Sequence, residues 1–372
     1  MRIVVAPCAY KGTFSPTMVA RAMAEGVRHA APEAVIEMIP LADGGDGTIE
    51  ALFTGAGGKV EELPVDGALN EPATAKWLSL PDVAVIELAS ACGIAKLTGR
   101  TLKPLEAHTH GLGQVIKSVV NSRRYRRLVI AVGGSASTDG GAGALTACGV
   151  KFLDATGNDV PLGGGNLGRI AKVDVGAIKD WLRDVKMEIA TDVHNPLTGP
   201  NGAARIFGPQ KGALEADVEL LENNLLHFAQ LLGSATGRGD YKSPGTGAAG
   251  GTAFGLASAF DAQIISGFAF VKEILKLESK LEKADLIITG EGKLDMQTIS
   301  GKAIGELVKL SKSMRRDLIA VPAVVAKDFP DSRTAFKAVV AASHHDQLAS
   351  FDDIARATTE AIRKSKQARQ SM

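Results

Sequence analysis

Residues 133–143 place five glycines, two serines and a threonine in eleven positions, directly after the apolar run Leu128–Val132. Glycine lets backbone come close to a ligand and adopt positive φ. Hydroxyls and backbone N–H groups at the start of a helix make a site for phosphate oxygens. The candidate anion-binding residues are Gly133, Gly134, Ser135, Ser137, Thr138, Asp139, Gly140 and Gly141. The same residues also fit a plain strand-to-helix turn with Thr138 or Asp139 as N-cap. The density of glycine and hydroxyl groups favours anion binding.

Three further loops carry acids beside glycines, each after an expected strand. Asp43 and Asp46 flank Gly44 and Gly45 in LADGGDGT, Asp192 lies in EIATDVHNPLTGP, and Glu291 and Asp295 lie in ITGEGKLDMQT. A carboxylate at the C-terminal end of a parallel strand faces the crevice in which α/β proteins bind ligands. A single such acid is commonly a helix N-cap, but three such loops beside the glycine loop point to a convergent site. Magnesium suits it, because that ion takes one or two protein carboxylates alongside phosphate oxygens. Lys11, Lys211 and Lys302 sit in YKG, QKG and GKA. They are either solvated loop lysines or the charges that neutralise phosphate and a substrate carboxylate.

Other chemistries are excluded. Gly163 and Gly168 have P-loop spacing but lead into Arg169-Ile170 rather than Lys-Ser/Thr. GxGxxG at 163–168 and 245–250 follows no clear strand, which argues against a dinucleotide fold. GxSxG, HExxH and protein-kinase signatures are absent.

The elements that must hold these loops follow from hydrophobic patterning. LVIAV is a strand buried on both faces, and Ala142–Cys148 opens a helix. RIVVA is a first strand, followed by a loop and a helix that starts with Ser15 as N-cap and Pro16 at its first position. Further strands are expected at 34–39, 60–64, 74–78, 83–88, 150–153, 187–191, 284–289, 318–321 and 338–342, and helices at 214–232, 303–311 and 351–366. This grammar predicts an α/β protein of two domains. A Rossmann-like parallel-sheet domain is built from both chain ends, 1–65 and 270–372. A mixed α/β domain, 66–269, is inserted between them and carries the glycine loop, with the active site in the cleft between the two.

The composition frames this reading. The chain has 372 residues, 45% hydrophobic and 22% charged, with a net charge of +1. Such balance implies no bulk attraction to nucleic acid or anionic membrane. The basic residues Arg123, Arg124, Arg126 and Arg127 read as a solvated helix end. Cys8, Cys92 and Cys148 show no metal or disulfide spacing. No signal peptide or membrane span is read from the sequence, so a cytoplasmic protein, monomer or homodimer, is expected.

Taken together, LADGGDGT, GGSASTDGGAGAL, DVHNPLTGPNGAARIFGPQKGA, PGTGAAGG and ITGEGKLDMQTISGKA resemble the type 1 glycerate kinase family, in order from Val4 to about Ala303. The resemblance implies ATP- and Mg²⁺-dependent phosphorylation of D-glycerate, most often to 2-phosphoglycerate. On that reading ATP phosphates lie on Gly133–Gly141. Asp192 and Asp295 bind Mg²⁺ or position the acceptor hydroxyl, with Asp43, Asp46 and Glu291 next. Lys11 holds the acceptor carboxylate among Asp43, Gly44, Gly45 and Asp46, and Lys211 or Lys302 meets the transferring phosphoryl group. The chain departs from the family at Cys8-Ala9, where an Asp–Ser pair is usual, and at His108-Thr109-His110-Gly111, where the family is Thr-rich. After the strand at 318–321, where the family usually has a Gly-containing end, the chain reads VPAVVAK. A kinase for a related hydroxy acid, or a non-catalytic sensor of an anionic metabolite, are the alternatives.

Overall fold

The computed structural model describes residues 1–10, 12–178, 181–182, 184–295, 298, 303–327, 329, 335–343 and 348–370. The chain forms two units, one of residues 1–43, 50–57 and 268–372, the other of residues 44–49 and 58–267.

Both chain ends build the first unit. Its sheet contains β1 (Arg2–Val5), β2 (Val35–Met38), β11 (Leu286–Thr289), β13 (Leu318–Ala320) and β15 (Ala338–Val339), all parallel, in the order β15-β13-β11-β1-β2. β12 (Lys293–Leu294) and β14 (Val324–Val325) make a small parallel pair. Helix α1 (Pro16–Ala30) starts as its sequence predicts, with the Met18 N–H donating to Ser15 Oγ at 3.3 Å. One core joins Ile3, Val5, Val19, Met23 and Ile288 to Ile354 and Ile362 of the closing helix, Phe351–Gln370. In this sheet the order turns at β1, with β2 on one side and β11 on the other. The loops that follow β1 and β11 therefore open at a topological switch point.

The second unit has a mixed sheet in the order β10-β9-β6-β5-β4-β3. Its strands are β3 (Lys59–Asp66), β4 (Pro72–Ser79), β5 (Val83–Glu87), β6 (Arg127–Ala131), β9 (Lys186–Ala190) and β10 (Gln263–Ile265). β5, β6, β9 and β10 run parallel, so their C-terminal ends share one edge, while β4 is antiparallel to both β3 and β5. β7 (Lys151–Leu153) and β8 (Lys172–Asp174) pair separately. Leu128–Ala131 are buried on both faces, as an all-apolar central strand requires. The helices of this unit that matter below are α3 (Leu88–Cys92), α4 (His110–Asn121), α5 (Ala142–Cys148), α6 (Ala203–Phe207), α7 (Glu215–Thr236) and α8 (Thr252–Phe260); α2 (Thr48–Ala56) and α9 (Gly267–Leu275) only begin in it, and their remaining residues belong to the first unit.

The fold class expected from sequence holds: a parallel sheet from both ends and a mixed α/β insert. The junctions differ in detail. β3 pairs with β4 from Lys59 to Asp66, which puts 58–65 in the second unit rather than the first. Residues 44–49 also join the second unit. Among the described residues, no helix is long and apolar enough to cross a membrane.

Candidate functional site

In the second unit, loops gather along the C-terminal edge of β5, β6 and β9. Residues 44–49 lie across this edge. The Gly133 N–H, just past β6, donates to Gly44 O at 3.1 Å. Gly44 rests on Ala190 O at the end of β9, where an added Cβ would come within 2.6 Å. Glu87, the last residue of β5, accepts from the Gly47 N–H and the Ile49 N–H, both at 3.1 Å. These two amides belong to the entry of α2, so Glu87 fixes both the loop and the helix start. Sequence reasoning missed Glu87; the signal was a lone acid closing the apolar run VAVI.

The contact between the acidic loop and the glycine loop leaves no room for side chains. A Cβ on Gly133 would lie 2.4 Å from Gly45 Cα, and one on Gly134 would lie 2.3 Å from Asp46 Oδ1. Gly134 also has φ of +75°, a conformation side-chain-bearing residues rarely adopt. The exposed carboxylate of Asp46 therefore sits against the exposed turn of Gly134.

The rest of the glycine loop is buried. Ser135 through Gly141 are buried, while Gly133 is half-buried and Gly134 exposed. This corrects the expectation of a helix start with free N–H groups. The Asp139 carboxylate, 0% exposed, takes five hydrogen bonds. Oδ2 accepts from the Thr109 N–H (2.9 Å), Thr109 Oγ1 (2.8 Å) and the Gly143 N–H (3.1 Å). Oδ1 accepts from Ser137 Oγ (3.1 Å) and the Gly141 N–H (3.3 Å). The Ala144 N–H goes to Thr109 Oγ1 at 3.0 Å. Asp139 and Thr109 thus consume the donors that α5 would offer a phosphate, and Asp139 acts as an internal staple. Thr138 is also buried, and its Oγ1 meets no partner among the described residues. The glycines elsewhere serve this packing. A Cβ on Gly164 would come within 2.2 Å of Thr138 O, and one on Gly250 within 2.2 Å of Ser137 O. Both GxGxxG segments are therefore packing surfaces for the loop. Of the unusual HTHG segment, Thr109 supports the loop. His108 is buried beside Asn70, and that burial lowers its pKa; His110 pairs with Asp66 at 2.8 Å.

Lys211 lies beneath the loop. It ends a one-turn segment, Pro209–Lys211, that follows α6, and it is 3% exposed. Its Nζ donates to Ser135 Oγ at 2.8 Å and to Ser137 O. Burial pushes its pKa down to about 7, against the pull of the Asp139 carboxylate. The side chain gives two hydrogen bonds to the loop's underside and is buried.

Asp192 follows β9. Its Oδ1 accepts from Ser266 Oγ at 2.8 Å and from the Gly267 N–H at 3.0 Å, capping the start of α9. It is half-buried. The capping reading of Asp192 is thus the one these contacts show.

The first unit holds Glu291 at its own switch point, and Asp43 and Asp295 in other loops. β1 and β11 stay paired beyond their ends through Cys8 N–H to Gly290 O at 2.8 Å. Glu291 follows directly. Tyr10 is buried there and donates to Val321 O. Burial, and then the Glu291 carboxylate, raise its pKa. Asp295 accepts from the Thr298 N–H at 3.3 Å, while its own N–H donates to Thr298 Oγ1 at 3.0 Å, a reciprocal cap. Asp43 is exposed at the end of the first unit's 1–43 segment. Lys11 and Lys302 lie outside the described residues. Among the described residues, no group of three or more His, Cys, Asp or Glu side chains forms a ready metal cage.

Comparison with known proteins adds to this geometry. The model of the glycerate kinase family matches residues 3–370. A glycerate kinase of Bacillus subtilis is 38% identical over 330 residues, covering 88% of this chain and 86% of the relative. A glycerate 2-kinase of Escherichia coli matches with the same identity and coverage. The crystal structure of a Salmonella typhimurium LT2 chain that carries the glycerate kinase 2 designation superposes with a TM-score of 0.85 at 33% identity, covering all of both chains.

Proposed function

The chain belongs to the glycerate kinase family and is a kinase; we propose that it transfers the terminal phosphoryl group of ATP to D-glycerate with Mg²⁺, giving 2-phosphoglycerate. The observation that carries this reading is the packing of the Asp46 carboxylate onto the solvent-facing Gly133–Gly134 turn, at the C-terminal edge of three parallel strands. A turn without side chains admits phosphate oxygens to the backbone, and the adjacent carboxylate supplies the donor type a hard cation takes.

Phosphoryl transfer asks a protein mainly for positioning and charge neutralisation. The exposed Gly134 receives the phosphates, the Gly133 N–H holds the turn against Gly44, and the buried remainder of the loop keeps that turn in place. Asp46 and Asp192 fit Mg²⁺ as single carboxylates that would share the ion with phosphate oxygens. When bound, the ion offsets charge on the β- and γ-phosphates. Glu87 holds Asp46's loop by two amides, and its role is positioning. Glu291 and Asp295 are kept as candidates for orienting the acceptor hydroxyl, with Lys11 for the acceptor carboxylate and Lys302 for phosphate. Cys8 and Ala9 offer no charge where the family has one, so acceptor choice is to be measured as well.

The test is ADP release from pure protein, ATP and Mg²⁺, with D-glycerate set against a panel of C3–C4 hydroxy acids. ADP is expected only with both Mg²⁺ and an acid present, and fastest with D-glycerate. Release no faster than background with every acid would sink the reading.

A further inference from the structure

We infer that Lys211 is a positioning residue for the glycine loop, holding Ser135 and Ser137 from beneath so that the Gly133–Gly134 turn keeps the shape that receives the nucleotide's phosphates. This rests on the proposed phosphate site, and it replaces a direct grip on the phosphoryl group by Lys211 with an indirect one.

Ser137 is held at both ends. Its carbonyl accepts from Lys211 Nζ, and its hydroxyl donates to the Asp139 carboxylate. Ser135 is gripped at its hydroxyl by the same Nζ. One residue further back the chain emerges as the exposed Gly134. On the other side of the turn, Gly134 O accepts from the Ile94 N–H at 2.9 Å, and the Ala136 N–H donates to Cys92 O at 3.0 Å. The turn is therefore pinned laterally by residues 92–94 and from beneath by Lys211. A loop rich in glycine has the most freedom to lose, so such pinning sets how much of its ordering must be met when phosphate binds. An apolar side chain of similar length would fill the same space without the desolvation cost of a buried amine. That a lysine stands there fits a role in the loop's function better than one in stability.

The experiment compares Lys211→Met and Ser135→Ala with the unaltered protein. ATP binding is followed by calorimetric titration with Mg²⁺, KM for each substrate by steady-state kinetics, and melting by scanning calorimetry. For Lys211→Met the Kd for ATP should rise by roughly tenfold or more, the worth of its hydrogen bonds to the loop. KM for D-glycerate should stay within about twofold, and the melting temperature should not fall. Ser135→Ala removes one of the two contacts and should weaken ATP binding in the same direction by a smaller factor. A residue that merely supports the fold would instead lower the melting point and impair both substrates together. That pattern, or an unchanged ATP Kd in the folded Met variant, overturns the inference. If the unaltered protein binds ATP yet phosphorylates no glycerate, the proposed reaction fails and the titrations still judge Lys211. If it binds no ATP, both fail.

Discussion

Replacing Lys211 by methionine should make the protein more stable near neutral pH, and the gain should shrink as pH rises. The side chain is 3% exposed, and its pKa falls from 10.5 to about 7 on folding. Between those values the unfolded chain binds more protons than the folded one, so this group makes the native protein more stable as pH rises through the window. Below about pH 7 its penalty is complete. The fall from 10.5 to about 7, at about 1.4 kcal/mol per pH unit, puts that ceiling near 5 kcal/mol. The same relation leaves about 4 kcal/mol at pH 7.5 and about 1 kcal/mol at pH 9.5. The attraction of Asp139 is already contained in the folded value. Against it stands the loss of two hydrogen bonds, about 1–3 kcal/mol together. Lys211→Met should therefore gain about 1–3 kcal/mol at pH 7.5 and be near neutral or less stable than the parent at pH 9.5. Urea unfolding of both proteins at the two pH values measures this. Titrations common to both cancel in the difference, which should change by about 2–3 kcal/mol between them. An identical difference at both pH values would refute the picture of a lysine buried at a charging cost.

Asp192→Asn keeps the ability to cap α9, since asparagine is as good an N-cap as aspartate; kcat should fall by roughly a hundredfold, about 3 kcal/mol, with little change in melting temperature. Normal kcat would reduce Asp192 to its capping role. Asp46→Asn, at an exposed site, should behave likewise, and a large stability loss there would argue that its carboxylate serves the fold. Gly164→Ala forces a Cβ to within 2.2 Å of Thr138 O; overpacking of this kind costs about 1–3 kcal/mol, a drop of several degrees in melting temperature. An unchanged melting temperature would show that the loop has room to give.

The architecture was legible where physics acts over short separations. The apolar run at 128–132 could only be a strand buried on both faces, and it is the inner strand β6. Ser15-Pro16 announced α1 at the right residue. Asp192 and Glu291 read as following strands because that position is set by local pattern, whereas Glu87, which itself closes β5, was missed. What escaped was partnership across the chain. An aspartate among glycines looks the same whether it faces solvent or staples the loop; Asp139 does the latter because Thr109, thirty residues earlier, meets it. Lys211 reads as a loop lysine until Ser135 and Ser137, more than seventy residues away, are seen against it. Likewise nothing local told that residues 44–49 pack with the second unit, since the amides of Gly47 and Ile49 are claimed by Glu87, about forty positions on.

The most direct measurement is proton-coupled ³¹P NMR of the pure protein with ATP, Mg²⁺ and D-glycerate. The proposed reaction predicts ADP and, in equal amount, a new phosphate monoester split into a doublet by the single proton on C2. A triplet, from the two protons on C3, would contradict the regiochemistry. ATP left intact, with no monoester formed, would contradict the reaction itself.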